Sequence, residues 1–147
     1  MEGLSRRRPT VSLVLDSSVT LAWIYGEETT DAVRFVFDRV ADGCASVPAL
    51  WRLEVANSLT VAIRRRRIDA KFRRAALDDL ARLDITVDGR TDERAWQETL
   101  ALADRFRLTL YDAAYLELAQ RSALPLATLD DALRAAGAGL GIRLLGM

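Results

Sequence analysis

The sequence predicts a three-layer α/β/α sandwich with a mainly parallel central sheet of four to five strands. Short apolar runs rich in Val, Leu or Ala, at 11–15, 44–47 and 124–129, are typical of strands covered on both faces. Helical patterns separate these runs, and crossovers of that length are needed for parallel pairing. With 147 residues, half of them apolar, the chain suits one domain over 1–147, with about 1–9 as a flexible N-terminal segment.

The elements follow one another in an alternating order. They are a strand at 11–16, helices at 19–25 and 30–41, a strand at 44–47, helices at 49–66 and from Asp69, an edge strand at 84–88, helices at 91–107 and 111–121, a strand at 124–129, a short helix to 136 and a last strand at 142–145. The helices show apolar residues three and four apart, as in Val55, Leu59 and Ala62. Pro125 lies at the start of its strand, where a missing N–H is tolerated.

Helix starts carry capping residues. Ser17 or Ser18 is expected to cap the first helix, and Thr29 or Thr30 the second. Asp69 is expected to cap the helix that follows it.

Composition excludes several kinds of chemistry. The chain has no histidine, one cysteine (Cys44) and one lysine (Lys71). Zinc sites built from Cys and His, internal disulfides and histidine-based hydrolases are therefore excluded. No apolar stretch is long enough for a membrane span or a signal peptide, so we expect a soluble, cytoplasmic protein with no membrane partner.

Net charge is zero, which excludes a strongly basic nucleic-acid binder, but local patches remain possible. Four arginines run together at 64–67, followed by Lys71, Arg73 and Arg74. A solvated helix end and a phosphate-binding patch explain this run equally well.

Four acids have positions of interest. Asp16 and Asp130 follow strands that end at the same edge of the predicted sheet, whereas Glu54 and Asp112 lie near the starts of helices. Three acids have a structural explanation. Asp130 suits a helix cap, and Asp112 and Asp131 each follow a threonine by three residues, Thr109 and Thr128, which is the spacing of a capping box. Glu54 interrupts an apolar stretch, and long acids are rarely buried without a partner.

If these acids meet, they need a cation. Two carboxylates about 5 Å apart repel by roughly 3 kcal/mol at an effective dielectric near 20. Magnesium or manganese, which prefer carboxylate oxygens and also bind phosphate, would remove this repulsion and bring RNA phosphates to the site.

Four segments resemble the PIN-domain ribonucleases, in particular the VapC-type toxins of toxin–antitoxin pairs. They are 14–18 (VLDSS), 48–57 (PALWRLEVAN), 109–115 (TLYDAAY) and 126–130 (LATLD). The four occur in the order of the family motifs and cover nearly the whole chain. The resemblance therefore implies the PIN fold and a Mg²⁺- or Mn²⁺-dependent endoribonuclease that leaves a 5′-phosphate and a 3′-hydroxyl.

The resemblance also assigns roles to residues. The acidic ligands of one or two Mg²⁺ or Mn²⁺ ions would be Asp16, Glu54, Asp112 and Asp130, and the supporting residues Ser17, Asn57, Thr128 and, ranked lower, Asp131. It implies a homodimer, an RNA substrate and a cognate VapB-type antitoxin. Trp23, Trp51 and Phe37 could line the groove that receives the antitoxin, although aromatic residues at helical spacing more often pack in the core.

Three other functions compete with this interpretation. A receiver domain and a haloacid-dehalogenase-type phosphatase place acids at strand ends, but both use a lysine near them, and the second has an aspartate where this chain has Ser18. The third is a catalytically silent module whose acidic pocket only binds RNA or a protein partner.

Overall fold

Five parallel strands form one central sheet in residues 10–147, the part of the chain that this computed structural model describes. They are β1 (Val11–Leu15), β2 (Cys44–Val47), β3 (Ile85–Val87), β4 (Leu126–Ala127) and β5 (Leu144–Leu145). Their order across the sheet is β3-β2-β1-β4-β5, and every neighbouring pair is parallel. The predicted fold class is therefore confirmed, whereas the predicted flexible segment at 1–9 lies outside the described residues.

Helices connect the strands. They are α1 (Ser17–Ile24), α2 (Asp31–Ala41), α3 (Trp51–Arg64), α4 (Ala70–Leu80), α5 (Thr91–Arg94), α6 (Leu100–Phe106), α7 (Leu110–Ser122) and α8 (Asp131–Gly139). The helix predicted over 91–107 is interrupted by one π-helical segment, Ala95–Thr99, between α5 and α6. No helix in the described residues is both long and apolar enough to cross a bilayer.

Three of the predicted helix caps are present. Thr30, Asp69 and Thr109 each accept a hydrogen bond from the backbone N–H three residues on, at 3.2, 2.8 and 3.1 Å. These bonds satisfy backbone groups that a helix start leaves unpaired.

The cap predicted for α1 and the capping box predicted for Asp131 are wrong, whereas the cap predicted at Asp130 is confirmed. α1 begins at Ser17, so Asp16 holds the cap position, and neither Ser17 nor Ser18 caps a later helix. At α8, Asp130 accepts from Leu133 N at 2.9 Å and is itself the cap, which excludes the capping box predicted for Asp131. In both places a nearby hydroxyl, that of Ser18 or of Thr128, donates to Asp16 instead.

The central strand β1 lies in the core. Leu13, Val14 and Leu15 have no exposed surface and belong to the hydrophobic core, and β1 contacts both α2 and α7. β1 pairs with β4 so that Leu15 faces Ala127. The residues that follow, Asp16 and Thr128, therefore emerge side by side at the carboxyl edge of the sheet.

Candidate active site

Asp16 is the most buried of the predicted acids, with 4% of its surface exposed. Two hydroxyls donate to the same carboxylate oxygen, Oδ2: Ser18 Oγ at 2.6 Å and Thr128 Oγ1 at 2.8 Å. Its backbone N–H donates to Ala127 O at 3.0 Å, which ties the end of β1 to β4. The orientation of this carboxylate is thus set by contacts from two distant parts of the chain.

The turn after β4 fixes these two hydroxyls. Ser18 Oγ accepts a hydrogen bond from Leu129 N at 2.9 Å, and Thr128 Oγ1 accepts one from Asp130 N at 3.0 Å. Each hydroxyl thus accepts from a backbone amide through one lone pair and donates its proton to Asp16. Thr128 was among the predicted supporting residues and Ser18 was not, although Ser18 lies two residues after Asp16 in the first motif.

Glu54 lies in the first turn of α3, half-buried, and accepts a hydrogen bond from the Tyr115 hydroxyl. Tyr115 itself is fully buried in α7, three residues after Asp112 and thus on the same helix face. Burial raises the pKa of Glu54, and hydrogen bonding to Tyr115 and Ser17 opposes that rise. Tyr115 was not among the predicted site residues, although its spacing of three residues from Asp112 indicated that the two share a helix face.

Asp112 and Asp130 complete the group. Asp112 is half-buried in the first turn of α7, and Asp130 is half-buried at the start of α8. Charge repulsion from Asp130 raises the pKa of Asp16, and repulsion from Asp16 and Asp130 raises the pKa of Asp112. The structure therefore brings Asp16, Glu54, Asp112 and Asp130 to one edge of the sheet.

The pKa values of three of these acids are raised. For Asp16, Glu54 and Asp112 the largest cause is burial, which disfavours the charged form. Hydrogen bonds from Ser18 and Thr128 oppose the rise of the Asp16 pKa, and repulsion from Asp130 adds to it. Repulsion between carboxylates also raises the pKa of Glu54 and of Asp112.

Two predicted supporting residues stand apart from this group. Asn57 is exposed on α3, and its side chain makes no hydrogen bond with the described residues. Asp131 is exposed as the first residue of α8 and is not among the neighbours that raise the pKa of the other acids. Of the two adjacent acids, Asp130 is the one whose charge raises the pKa of Asp16 and of Asp112.

The donor set suits a hard divalent cation, because it consists of carboxylate and hydroxyl oxygens. Within residues 10–147, no arginine or lysine forms an ion pair with any of the four acids. As they stand, however, no three acids of the described chain lie close enough together to hold one ion. The oxygen ligands therefore fit a divalent metal ion, and binding one requires the four carboxylates to move closer together.

Comparisons with known proteins agree with the fold. The PIN domain family model matches residues 13–139. A crystal structure of PAE2754 from Pyrobaculum aerophilum is 25% identical, with a TM-score of 0.68, and the match covers 97% of this chain and 90% of that one. A toxin–antitoxin complex from Klebsiella pneumoniae contains a chain that is 16% identical, with a TM-score of 0.54 over 81% of this chain and 87% of that one, and supports the fold alone. No curated protein sequence matches the chain.

Proposed function

This chain belongs to the PIN domain family, and from that premise we propose that it is a Mg²⁺- or Mn²⁺-dependent endoribonuclease, the toxin of a VapBC-type toxin–antitoxin pair. PIN domains are typically metal-dependent nucleases, which supports hydrolysis of a phosphodiester bond. The ribonuclease activity, the choice of metal and the toxin role are our proposals.

One observation carries the proposal: four acids from distant segments share the carboxyl edge of the sheet without an internal cation. Asp16, Glu54 and Asp112 have raised pKa values, caused first by burial and then by repulsion between the carboxylates, while hydrogen bonds to each acid oppose the rise. Burying anions without a partner is costly, so such an arrangement is typical of a functional site.

The hydroxyl groups orient the proposed ligands. Ser18 and Thr128 hold Oδ2 of Asp16, so that its carboxylate plane is set before a ligand arrives. Tyr115 holds Oε1 of Glu54, and burial together with the Glu54 carboxylate raises the pKa of Tyr115 far above its ordinary value. Tyr115 therefore remains protonated and acts as a hydrogen-bond donor.

A divalent ion held by Asp16, Glu54, Asp112 and Asp130 would lower the pKa of a water molecule and neutralise charge on the phosphoryl oxygens. Because the chain has no histidine, a carboxylate or water has to accept the proton of the attacking water. Products with a 5′-phosphate and a 3′-hydroxyl are expected.

An antitoxin and a second copy of the chain are the proposed partners. The similar chain from Klebsiella pneumoniae belongs to a toxin–antitoxin complex, which favours an antitoxin here. Of the three aromatic residues considered for its groove, Trp51 is buried and donates to Thr20 Oγ1 at 3.1 Å. Trp23 and Phe37 pack edge to face and line an apolar groove with Phe72 of α4, so they remain candidates for the antitoxin contact.

The test is RNA cleavage by the purified protein with Mg²⁺ or Mn²⁺. We expect cleavage that a chelator stops and that Asp16→Asn reduces about a thousandfold, a loss of roughly 4 kcal/mol in transition-state stabilisation. Expression of the wild type should arrest growth, whereas the Asp16→Asn variant should not.

Asp130→Asn and Asp131→Asn form a matched pair for this test. The two acids are adjacent, but only Asp130 lies beside Asp16 and Asp112, so we expect loss of cleavage for Asp130→Asn and near wild-type cleavage for Asp131→Asn. If the wild type binds RNA and leaves it intact under all these conditions, the silent binding module replaces the nuclease.

A further inference from the structure

We propose that Arg134 is a positioning residue, which holds the turn after β4 so that Thr128 and Ser18 orient Asp16. The inference rests on the proposed function, because it assigns Arg134 a part in assembling that site. Arg134 lies in α8, one helical turn after Asp130, and is half-buried.

The Arg134 guanidinium bridges the ends of two strands. Its Nη1 donates to Thr128 O at 2.8 Å and to Leu145 O at 3.0 Å. Thr128 N also donates to Leu145 O, at 3.2 Å, where the pairing of β4 with β5 ends. Arg134 thus holds the Thr128 carbonyl oxygen just beyond the last hydrogen-bonded pair of β4 and β5.

A short chain of hydrogen bonds leads from this peptide to Asp16. The Thr128 hydroxyl accepts from Asp130 N and donates to Asp16, and the Ser18 hydroxyl accepts from Leu129 N and donates to the same oxygen. Movement of the Thr128 peptide would shift the amides of Leu129 and Asp130. Both hydroxyls would then lose the geometry that directs their protons.

Gly146 shows how closely this peptide is packed. It has a φ of +106°, and a Cβ atom there would lie 3.2 Å from Thr128 O and 3.4 Å from Val19 Cγ2. The last residues of the chain therefore press against Thr128 on one side while Arg134 holds its carbonyl oxygen. This packing indicates a peptide position set by several independent contacts.

A purely structural role is the alternative, because an arginine that binds two carbonyl oxygens also stabilises a strand end. The two roles differ in what Arg134→Met changes. A structural role lowers the melting temperature and leaves the folded site intact. A positioning role changes the turn, the metal affinity and kcat at temperatures where the variant is fully folded.

The experiment compares wild type, Arg134→Met and Arg134→Lys in three measurements. The first is amide hydrogen exchange of Leu129 and Asp130 by NMR, which requires neither metal nor RNA. The second is Mn²⁺ affinity, followed by the electron paramagnetic resonance signal of free Mn²⁺. The third is steady-state RNA cleavage, which separates kcat from KM.

For Arg134→Met we expect protection of both amides to fall about tenfold or more, while that of Leu13 in the core stays unchanged. Mn²⁺ affinity should fall about tenfold, as for other outer contacts of metal ligands. We expect kcat to fall by about ten- to a hundredfold with KM within about threefold of wild type. Arg134→Lys should recover part of each loss, because an ammonium group can donate to both carbonyl oxygens.

Arg143→Met is the matched control, since Arg143 precedes β5, is exposed and has no side-chain hydrogen bond within the described residues. It should match the wild type in all three measurements. Unchanged amide protection, or reduced protection with unchanged Mn²⁺ affinity and kcat, in Arg134→Met would overturn the positioning role. If the wild type itself neither cleaves RNA nor binds Mn²⁺, the proposed function fails, and with it any catalytic part for Arg134, whereas the exchange data still decide whether Arg134 holds the turn.

Discussion

Two acid-rich regions of this protein deal with buried negative charge in opposite ways. At the carboxyl edge of the sheet, Asp16, Glu54, Asp112 and Asp130 have no ion pair within the described residues, and the pKa values of the first three are raised. In the second region, which we call the arginine network, Asp88 and Glu117 are bound by Arg121 and Arg94. The difference lies in the cations that the chain supplies.

The arginine network is closely bonded. Arg121 donates to Asp88 at 2.6 and 3.2 Å and to Glu117 at 2.8 and 3.0 Å, and only 4% of Glu117 is exposed. Arg94 Nε forms an ion pair with Glu117 Oε2 at 2.9 Å but makes no hydrogen bond within the described residues. Burial opposes the ionisation of Asp88, but bonds from Arg121, the Arg90 backbone and Thr91 outweigh it and lower its pKa.

The comparison separates a structural use of buried acids from a functional one. The arginine network ties α7 to the segment between β3 and α5, and its charges are satisfied internally. The acids at the sheet edge keep their charge uncompensated, which favours an external cation.

The largest expected effect on stability is that of Arg121→Met. Removing this arginine leaves Asp88 and Glu117 as buried anions without their main partner, and we expect the free energy of unfolding to fall by about 3 kcal/mol. For a chain of this size that loss lowers the melting temperature by about 6–12 °C. Urea denaturation measures it, and a loss below about 1 kcal/mol would show that the network is not a stabilising one.

Mn²⁺ should stabilise the acids at the sheet edge and not the network. At a hundred times the dissociation constant, a bound ion raises the free energy of unfolding by about 2.7 kcal/mol. We expect this gain in the wild type and in Arg121→Met, but not in Asp16→Asn. Thermal melts with and without Mn²⁺ test it, and an equal gain in Asp16→Asn would place the ion elsewhere.

The pH dependence of stability should have opposite signs in the two regions. A raised pKa means that folded Asp16 binds its proton more tightly than the unfolded chain does, so its contribution is present below pH 3.8 and is lost as pH rises through the folded pKa. The lowered pKa of Asp88 contributes above pH 3.8 and is lost as pH falls through its folded value.

Asp16→Asn should therefore gain stability relative to the wild type as pH rises above 3.8, by about 1.4 kcal/mol for each unit by which the folded pKa exceeds the unfolded one. Denaturant unfolding in chelator-containing buffer from pH 4 to 7.5 measures the difference. A difference that stays constant with pH would mean that burial does not perturb Asp16.

The smallest effect is expected for Arg90→Gln, which breaks an exposed ion pair close to the network. Arg90 Nε lies 2.7 Å from Glu93 Oε1, but more than half of each side chain is exposed. Water already solvates both charges, so we expect a change within about 0.5 kcal/mol. A loss comparable to that of Arg121→Met would mean that burial does not distinguish the two pairs.

Local patterns predicted much of the fold because strands and helix starts depend on neighbouring residues. The strand at 44–47 has the predicted bounds, and Thr30, Asp69 and Thr109 cap the predicted helices. Boundaries were less accurate: the last strand is Leu144–Leu145 rather than 142–145, and α8 continues to Gly139 rather than ending near 136.

Side-chain partners that lie far apart in the sequence were harder to predict. Nothing in the periodicity of α7 indicates that Glu117 faces Arg94, or that Tyr115 reaches Glu54, which is 61 residues away. The same holds for Ser18, whose selection over Ser17 as the partner of Asp16 depends on the turn after β4.

The sequence by itself determined the order of strands and helices, the four acids at their ends and the absence of histidine, because these are properties of composition and of short-range spacing. The tertiary structure alone decided which acids receive arginines and which receive only hydroxyls. The physical reason is that the energy of a buried charge depends on the groups within a few ångströms of it. Those groups come from different segments, as with Thr128 and Asp16, which are 112 residues apart.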